Sequence, residues 1–355
     1  MQDSVSYFSS NDLNAFIQSI YEAHGLSSLD ASCVARNLVD ANSRGLDTHG
    51  VARTPSYIER IKHGLVNVKP DMALDYRMPW ALNLDADNAM GAIAGDFAMA
   101  QALQNADTGG VGAVTVRNSN HFGAAGYYAR QAAEQNCIGI SLAPASKSLA
   151  PFGSREPLFG TNPIAAAVPA GKYAPWVMDM ASSVAARGHI RLSEKTNTPI
   201  PEGWAFDSEG NPTTDPHEAM KGVMVPFAGP KGSAIAMLVD ILGGVLSGSS
   251  FAGNIRDMNK DFTAPQGVGH FFLVLKIEAF MSLNDFCARM EEQIERLHDL
   301  APAPGFTNVL YPGEPEAKIS ERRMREGIPL NGTVLSALTE LSREAALDFP
   351  NSISQ

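Results

Sequence analysis

Cysteine is scarce. Cys33, Cys137 and Cys287 are an odd number of thiols at wide spacing, with no C-x-x-C pair. That excludes a disulfide framework and a Cys-based zinc site, leaves no metal expected, and fits a reducing, cytoplasmic setting. Positive charge is also in short supply: 27 Lys and Arg against 38 Asp and Glu give a net charge of -11, with no basic run. A phosphate-backbone partner needs Lys and Arg gathered on one face, so no nucleic-acid partner is expected. Long apolar stretches are missing too. The longest, residues 234–246, is interrupted by Asp240 and falls short of the roughly 20 residues that span a bilayer, so no membrane partner is expected. The opening MQDSVSYFSS lacks the basic and apolar regions of a secretory signal.

Several familiar catalytic signatures fail as well. GGVGAV at 109–114 resembles the start of a dinucleotide fingerprint, but its sixth position is not glycine. It also leads from a helix into a strand, the reverse of the Rossmann order. GPKGS at 229–233 lacks the first glycine of a phosphate loop and has its lysine before the glycine. No G-x-S-x-G elbow is present, so a serine hydrolase has no anchor.

What is present is an ordinary globular composition, 45% hydrophobic and 18% charged, over 355 residues. That length suggests two or three domains. The first 65 residues predict three helices ending at His24-Gly25, Arg44-Gly45 and His63-Gly64, each a cation followed by the glycine that stops a helix. Ser10 and Ser28 are the expected N-caps of the first two. Pro55 fits if the third helix begins near residues 50–53. From about residue 80, β-branched runs at 81–85, 111–117, 138–143, 164–168, 176–180 and 271–277 predict strands. They alternate with helical segments at 92–107, 124–135, 232–247 and 282–300, giving an α/β or α+β core. Residues 190–222 are turn-rich and read as a surface excursion, and charged helices at 314–326 and 333–347 close the chain. The expected division is a helical part at 1–75, a core at 76–305, and C-terminal helices at 306–355 that join the first part.

Three segments could carry chemistry. In GLDTHGVAR, a helix starting near His49 would place His49 and Arg53 at i and i+4 on one face. A histidine kept neutral at a helix start can move a hydroxyl proton, and an arginine fork can hold a carboxylate. The same residues would also serve as a polar helix junction, with Asp47 or Thr48 as cap and Arg53 in solvent. NSNHFGAAGYYA, residues 118–129, sets His121 at a strand end before small residues that open a helix, either a phosphate site or a tightly packed turn. LFGTNPIA, VMDMA and ARGHI set Thr161 and Asn162 in a turn and put Asp179, a lone charge, in an apolar run, where backbone N–H groups or a ligand hydroxyl would satisfy it. Lys231 and Gly313-Glu314 are common turn and helix-start residues on their own.

Taken in order, DTHGVAR, NSNHFGAAGYYA, PFGSREPLFGTNPIA, DMASSVAARG, GWAFDSEGNPTTDP, PFAGPKGSA and PAPGF followed by YPGE resemble the malate/L-lactate dehydrogenase family of the non-Rossmann type. The likeness runs from about residue 10 to 330. It implies a homodimer that binds NAD or NADP in a mixed-sheet α/β fold distinct from Rossmann, with a helical domain built from both chain termini. His49 matches the catalytic acid/base, Thr48 its supporting hydroxyl, and Arg53 the carboxylate anchor, with Thr161 and Arg187 at the substrate. His121, Phe122, Gly123, Ala124 and Ala125 match one cofactor-contacting run, and Asp179, Met180 and Ala181 a second. Pro230, Lys231, Pro312, Gly313 and Glu314 match further cofactor segments. The implied activity is hydride transfer between NAD(P) and a small 2-hydroxy acid of malate, lactate or ureidoglycolate type. Reduction of a cyclic imino acid or diketo acid is the alternative, and a catalytically silent binding protein is the alternative of another class. Imine-reducing members carry serine and aspartate where this chain has Thr48 and His189, which leaves hydroxy acid oxidation in front.

Overall fold

The computed structural model describes residues 5–353. Strand β1 (Ser6–Phe8) leads into α1 (Ser10–Ala23) and α2 (Ser28–Ser43). Their N-caps are Ser9 and Ser27, each one residue ahead of the serine expected. The reason is reach: these hydroxyls accept the backbone N–H groups of Asp12 and Asp30, three residues on, and those acids face the positive helix end. All three helices end where expected, and α3 (Thr54–Lys62) holds Pro55 in its first turn.

The core follows as β2 (Ala73–Met78), β3 (Ala81–Asp85), α4 (Gly91–Gly109), β4 (Val111–Ser119), α5 (Ala125–Glu134), β5 (Cys137–Leu142), β6 (Ile164–Ala170) and β7 (Tyr173–Met180). The expected surface excursion contains α6 (Arg187–Thr196), β8 (Ala205–Phe206), β9 (Pro212–Thr213), α7 (Pro216–Lys221) and β10 (Val223–Met224). It is more ordered than its turn chemistry suggested, because Ile190, Ile200, Ala205 and Met224 close a small core with Leu149 and Phe159. Next come α8 (Pro230–Asp240), β11 (Val268–Lys276), α9 (Leu283–His298), α10 (Glu314–Glu326), β12 (Ile328–Leu330) and α11 (Gly332–Glu344). The single helix expected at 232–247 instead widens into a π turn over Ile241–Val245. There Gly243 and Gly244 allow Pro144 and Phe251 to approach closer than any Cβ would permit.

The main sheet has seven strands in the order β2-β3-β4-β11-β5-β6-β7. Only β3 and β4 run parallel; every other neighbouring pair is antiparallel. This is the mixed, non-Rossmann sheet expected, since a Rossmann core is almost wholly parallel. The alanine-rich faces of α4 and α5 pack on Val114, Val116, Phe272 and Val274. A second core unites the two ends of the chain: Phe8, Leu13, Ile17 and Ile20 pack with Ile328, Leu330, Leu338 and Leu341. Antiparallel pairing of β1 with β12, Ser6 opposite Leu330, fixes that union.

Candidate active site

The loop from Asp47 to Arg53 is not the start of an α-helix. It forms two short 3-10 turns, Asp47–His49 and Val51–Arg53, broken at Gly50 where ψ is -153°. The i, i+4 geometry expected for His49 and Arg53 therefore fails, yet the two side chains still converge. A Cβ on Gly50 would stand 2.0 Å from Asn42 Oδ1, so the break is built around the Asn42 amide. That Oδ1 accepts the Val51 N–H at 2.7 Å, and Asn42 Nδ2 donates to Asp47 Oδ1 at 2.7 Å. Asp47 also accepts a two-pronged fork from Arg323 on α10, at 2.6 and 3.0 Å. Asp47 thus holds the loop rather than capping a helix.

Between those anchors, Thr48 Oγ1 lies 3.1 Å from His49 Nδ1. Burial first, and the Arg53 guanidinium second, push the pKa of His49 down to about 4, so the ring is neutral near pH 7. Arg53 Nε donates to the Thr48 carbonyl at 2.6 Å, which leaves both terminal nitrogens without a protein partner among the described residues. A planar fork held along one edge is suited to gripping a carboxylate with the other.

His121, expected only in a cofactor loop, comes alongside His49 with ring centroids 5.9 Å apart. Its Nδ1 lies 2.6 Å from the Tyr57 hydroxyl and 3.3 Å from the Gly123 N–H. An N–H can only donate, so Nδ1 is an acceptor and the ring proton sits on Nε2. Gln266 Oε1 accepts the His121 backbone N–H at 3.1 Å and fixes the residue from β11's side. Burial, then Arg53 and His49, hold the pKa of His121 well below the ordinary imidazole value. Gly188 on α6 closes the cluster: a Cβ there would lie 3.5 Å from Thr48 Cγ2, which brings the neighbouring Arg187 to this end.

Next to this cluster runs a cleft of about 410 Å³, lined by Leu46, Ala124, Gly126, Val177 to Met180, Leu310 to Gly313 and Glu316, with Asp40, Arg44 and Arg130. Ligand sites commonly span roughly 300–1,000 Å³ with apolar walls and a few polar groups. Asp179 opens on this cleft rather than lying inside an apolar run, and its Oδ2 accepts the Gly126 N–H at 2.8 Å. Surrounding protein raises its pKa, offset in part by that bond and by Arg130, while its exposure to the cleft lets water moderate the effect. That Gly126 N–H, expected to be free for a phosphate, is therefore already taken. The donor set fits a dinucleotide in another way, with apolar faces for flat rings and the Arg44 guanidinium for phosphate, while Arg130 is paired with Asp40 and Glu134.

Other expected contacts separate. Phe122 is 3% exposed and stacks on His270 at 4.6 Å, so its side chain belongs to the core and not to a ligand surface. Glu314 accepts from His298, Lys318 and the Tyr311 N–H, which leaves Pro312 and Gly313 to face the cleft without it. Thr161, Pro230 and Lys231 gather elsewhere, around Ser182. The Thr161 carbonyl accepts the Ser182 N–H at 2.7 Å, and Gly232 approaches the Ser182 carbonyl. Pro230 and Lys231 themselves are exposed. His189 is exposed, its ring 6.2 Å from that of Trp204. Among the described residues no three His, Cys, Asp or Glu side chains group to hold a metal ion, and no helix is long and apolar enough to cross a membrane.

Tyr57 was missed, although it lies four residues after Arg53 and shares its side of the chain. Asn42, Gln266 and Arg323 carried no local signal, because each acts through contacts that only the fold creates.

A neutral imidazole, a half-free guanidinium and a neighbouring cleft with apolar walls are the groups a dehydrogenase of small hydroxy acids needs. A family model described as malate/L-lactate dehydrogenase matches residues 8–339, and the chain belongs to that family. It is 36% identical to a malate dehydrogenase of Pyrococcus abyssi over 95% of this chain and 94% of that protein. It is also 36% identical to an NAD(+) ureidoglycolate dehydrogenase of Escherichia coli, over 86% and 87%. The solved sulfolactate dehydrogenase of Methanocaldococcus jannaschii superposes with a TM-score of 0.91 at 33% identity, covering 97% and 98% of the two chains.

Proposed function

We propose that this protein oxidises a small 2-hydroxy acid of malate, lactate or ureidoglycolate type, and runs the reverse reduction, with NAD or NADP held in the cleft beside Asp179 and Gly313. The observation that carries the reading is the convergence of neutral His49, its Thr48 partner and the half-free Arg53 fork side by side on one loop. Arg53 holds the substrate carboxylate through its terminal nitrogens, with Arg187 as a further substrate contact. His49 takes the hydroxyl proton on Nε2. For that, Nδ1 carries the ring proton and donates to Thr48 Oγ1, which fixes the tautomer. His121 offers Nε2–H as a donor toward the substrate oxygen. The bound nicotinamide supplies the hydride acceptor. Neutral His49 suits oxidation, because a protonated ring could accept nothing.

The test is a panel of 2-hydroxy and 2-keto acids, with piperideine-2-carboxylate, read at the nicotinamide absorbance with both cofactors. Oxidation of one hydroxy acid, lost in His49→Ala and weakened mainly in KM in Arg53→Ala, supports the reading. Wild-type kcat in His49→Ala, or a wild-type KM in Arg53→Ala, refutes it. Turnover of the cyclic imine alone would move the activity to the alternative class, and failure to bind either cofactor by calorimetry would leave a silent fold.

The exposed apolar side chains of Met237, Leu238, Ile241, Val245 and Leu246 make one stripe along α8 and its π extension. A second copy of the chain is the proposed cover, giving a homodimer. Ile241→Lys would then yield a monomer by light scattering, and a wild-type monomer would refute the dimer. Three free thiols fit the proposed cytoplasmic location.

A further inference from the structure

His49 sits between two anchor points that its own loop does not provide. Asp47, two residues before it, is gripped by the Arg323 fork and the Asn42 amide, and Val51, two residues after it, donates to Asn42 Oδ1. Arg323 Nη1 also donates to the Asn42 carbonyl. Both terminal nitrogens of Arg323 are thus committed to α2 and the loop, and its Nε is buried without a partner. The Arg323 side chain is 12% exposed, against 49% for Asp47. The cation is therefore enclosed by the fold, while the loop it holds is open to solvent on its other side.

The same face of α10 reaches back to the cofactor cleft. Glu316 lines the cleft, Ile319 lies 3.2 Å from where a Cβ on Gly45 would stand, and Arg323 meets Asp47. Residues at i, i+3 and i+7 share one side of a helix. One rigid element thus touches the cleft, the end of α2 and the catalytic loop.

We infer that Arg323 is a positioning residue, which sets the placement of His49 relative to the cleft by clamping Asp47 and Asn42. Arg323, Asp47 and Asn42 make no contact with the substrate in this scheme; they act through the loop. The inference rests on the reading of His49 as the proton-transfer group. A fork bound at two points fixes an orientation that a single ammonium cannot, so Arg323→Lys is a poor substitute.

The test uses the full-length protein with Arg323→Ala, Asp47→Asn, the Asp47→Ala/Arg323→Ala pair and His49→Ala. Arg323→Ala is expected to lower kcat on the order of 10- to 100-fold, the scale of a small misplacement of reacting groups, with the dissociation constants for NADH and NADPH within about twofold of wild type. The double variant is expected to be no slower than the worse single variant, because the two residues act as one unit. Guanidinium ion added to Arg323→Ala is expected to restore part of kcat. NMR titration of the His49 ring in the cofactor-free protein is expected to show a pKa nearer the ordinary 6.5, since a loosened loop is less buried. If Arg323→Ala does not fold, the near-isosteric Asp47→Asn carries the same kcat and titration measurements. Additive losses in the pair, or an unchanged kcat and His49 titration in a folded variant, overturn the inference. An inactive His49→Ala beside a fully active Arg323→Ala sinks this proposal alone, whereas an active His49→Ala sinks the reading of the site beneath it.

Discussion

Acidification should leave hydroxy acid oxidation running well below the pH at which a free imidazole would stop it. The pKa of His49 is lowered from the ordinary imidazole value of 6.5 to about 4. Each unit corresponds to about 1.4 kcal/mol, so charging this ring costs about 3 kcal/mol more than charging one in water. At pH 5.5 an ordinary histidine is about one-tenth neutral, whereas one with a pKa of 4 is about 97% neutral. The acid limb of kcat/KM, which reports the free enzyme, is therefore expected near pH 4. Burial is the larger cause and Arg53 the second. Arg53→Gln should then raise the limb while leaving it below 6.5, and it should weaken substrate binding at every pH. Initial rates from pH 3.5 to 9, read in overlapping buffers for both proteins, give the two limbs. A limb set by the substrate's own carboxyl group would not move in the variant, so the shift separates the two origins. A wild-type limb near 6.5, or a limb that stays fixed in Arg53→Gln, refutes the account of His49.

The same low pKa makes the fold acid-sensitive. His49 and His270, the latter pushed by burial to about 3, take up protons when unfolded near pH 6.5 but resist them when folded. Their stabilising effect is full above 6.5 and is lost as the pH falls toward 4 and then 3, at up to about 1.4 kcal/mol per pH unit for each ring. Denaturant midpoints measured across that range should fall, and His270→Gln should flatten the slope by about one proton; a flat wild-type curve contradicts this. Phe122→Ala should cost about 3–5 kcal/mol in chemical denaturation, the usual loss for a buried ring, while cofactor affinity changes little; a selective loss of affinity would return Phe122 to the binding surface. Gly313 has φ 92° and would place a Cβ 2.9 Å from Val177 Cβ, so Gly313→Ala should distort the cleft wall and weaken calorimetric cofactor binding at least several-fold. Unchanged binding would remove Gly313 from the site.

Sequence patterns located the elements whose burial is one-sided and regular. The six expected strands all exist because β-branched runs such as 111–117 and 271–277 fill the centre of the sheet. β2 escaped notice because it lies at the sheet edge and is almost wholly exposed, so no alternation marks it. α6 was hidden for a similar reason: only Ile190 of its ten residues is buried. In the site, the residue types of GLDTHGVAR were legible but their geometry was not. An α-helix would have aligned His49 with Arg53; the break at Gly50 aligns them differently, and Asn42, invisible to any local pattern, causes the break. Within the 118–126 run, His121 goes to the side of His49, Phe122 to the core, and Ala124 and Gly126 to the cleft. Consecutive residues on a tight turn point to different places, which a motif read as one unit cannot express.

The deeper limit is separation along the chain. The loop that holds His49 has almost no regular backbone pairing of its own, and short 3-10 turns are weakly self-supporting. Its shape must come from outside, and its partners are Asn42 on the preceding helix and Arg323 some 276 residues away. Arg323 can reach Asp47 only because the C-terminal helices return to the N-terminal ones, a return fixed by β1 pairing with β12 and by the shared core of Phe8, Ile17, Ile328 and Leu338. The union of the two chain ends therefore does more than close a hydrophobic core. It brings the far end of the chain against a polar loop near the start and gives a neutral histidine a defined place beside the cleft. Packing energy spread over apolar residues at both termini is thereby converted into the orientation of one imidazole, so substitutions in that core should be felt at His49 before they unfold the protein.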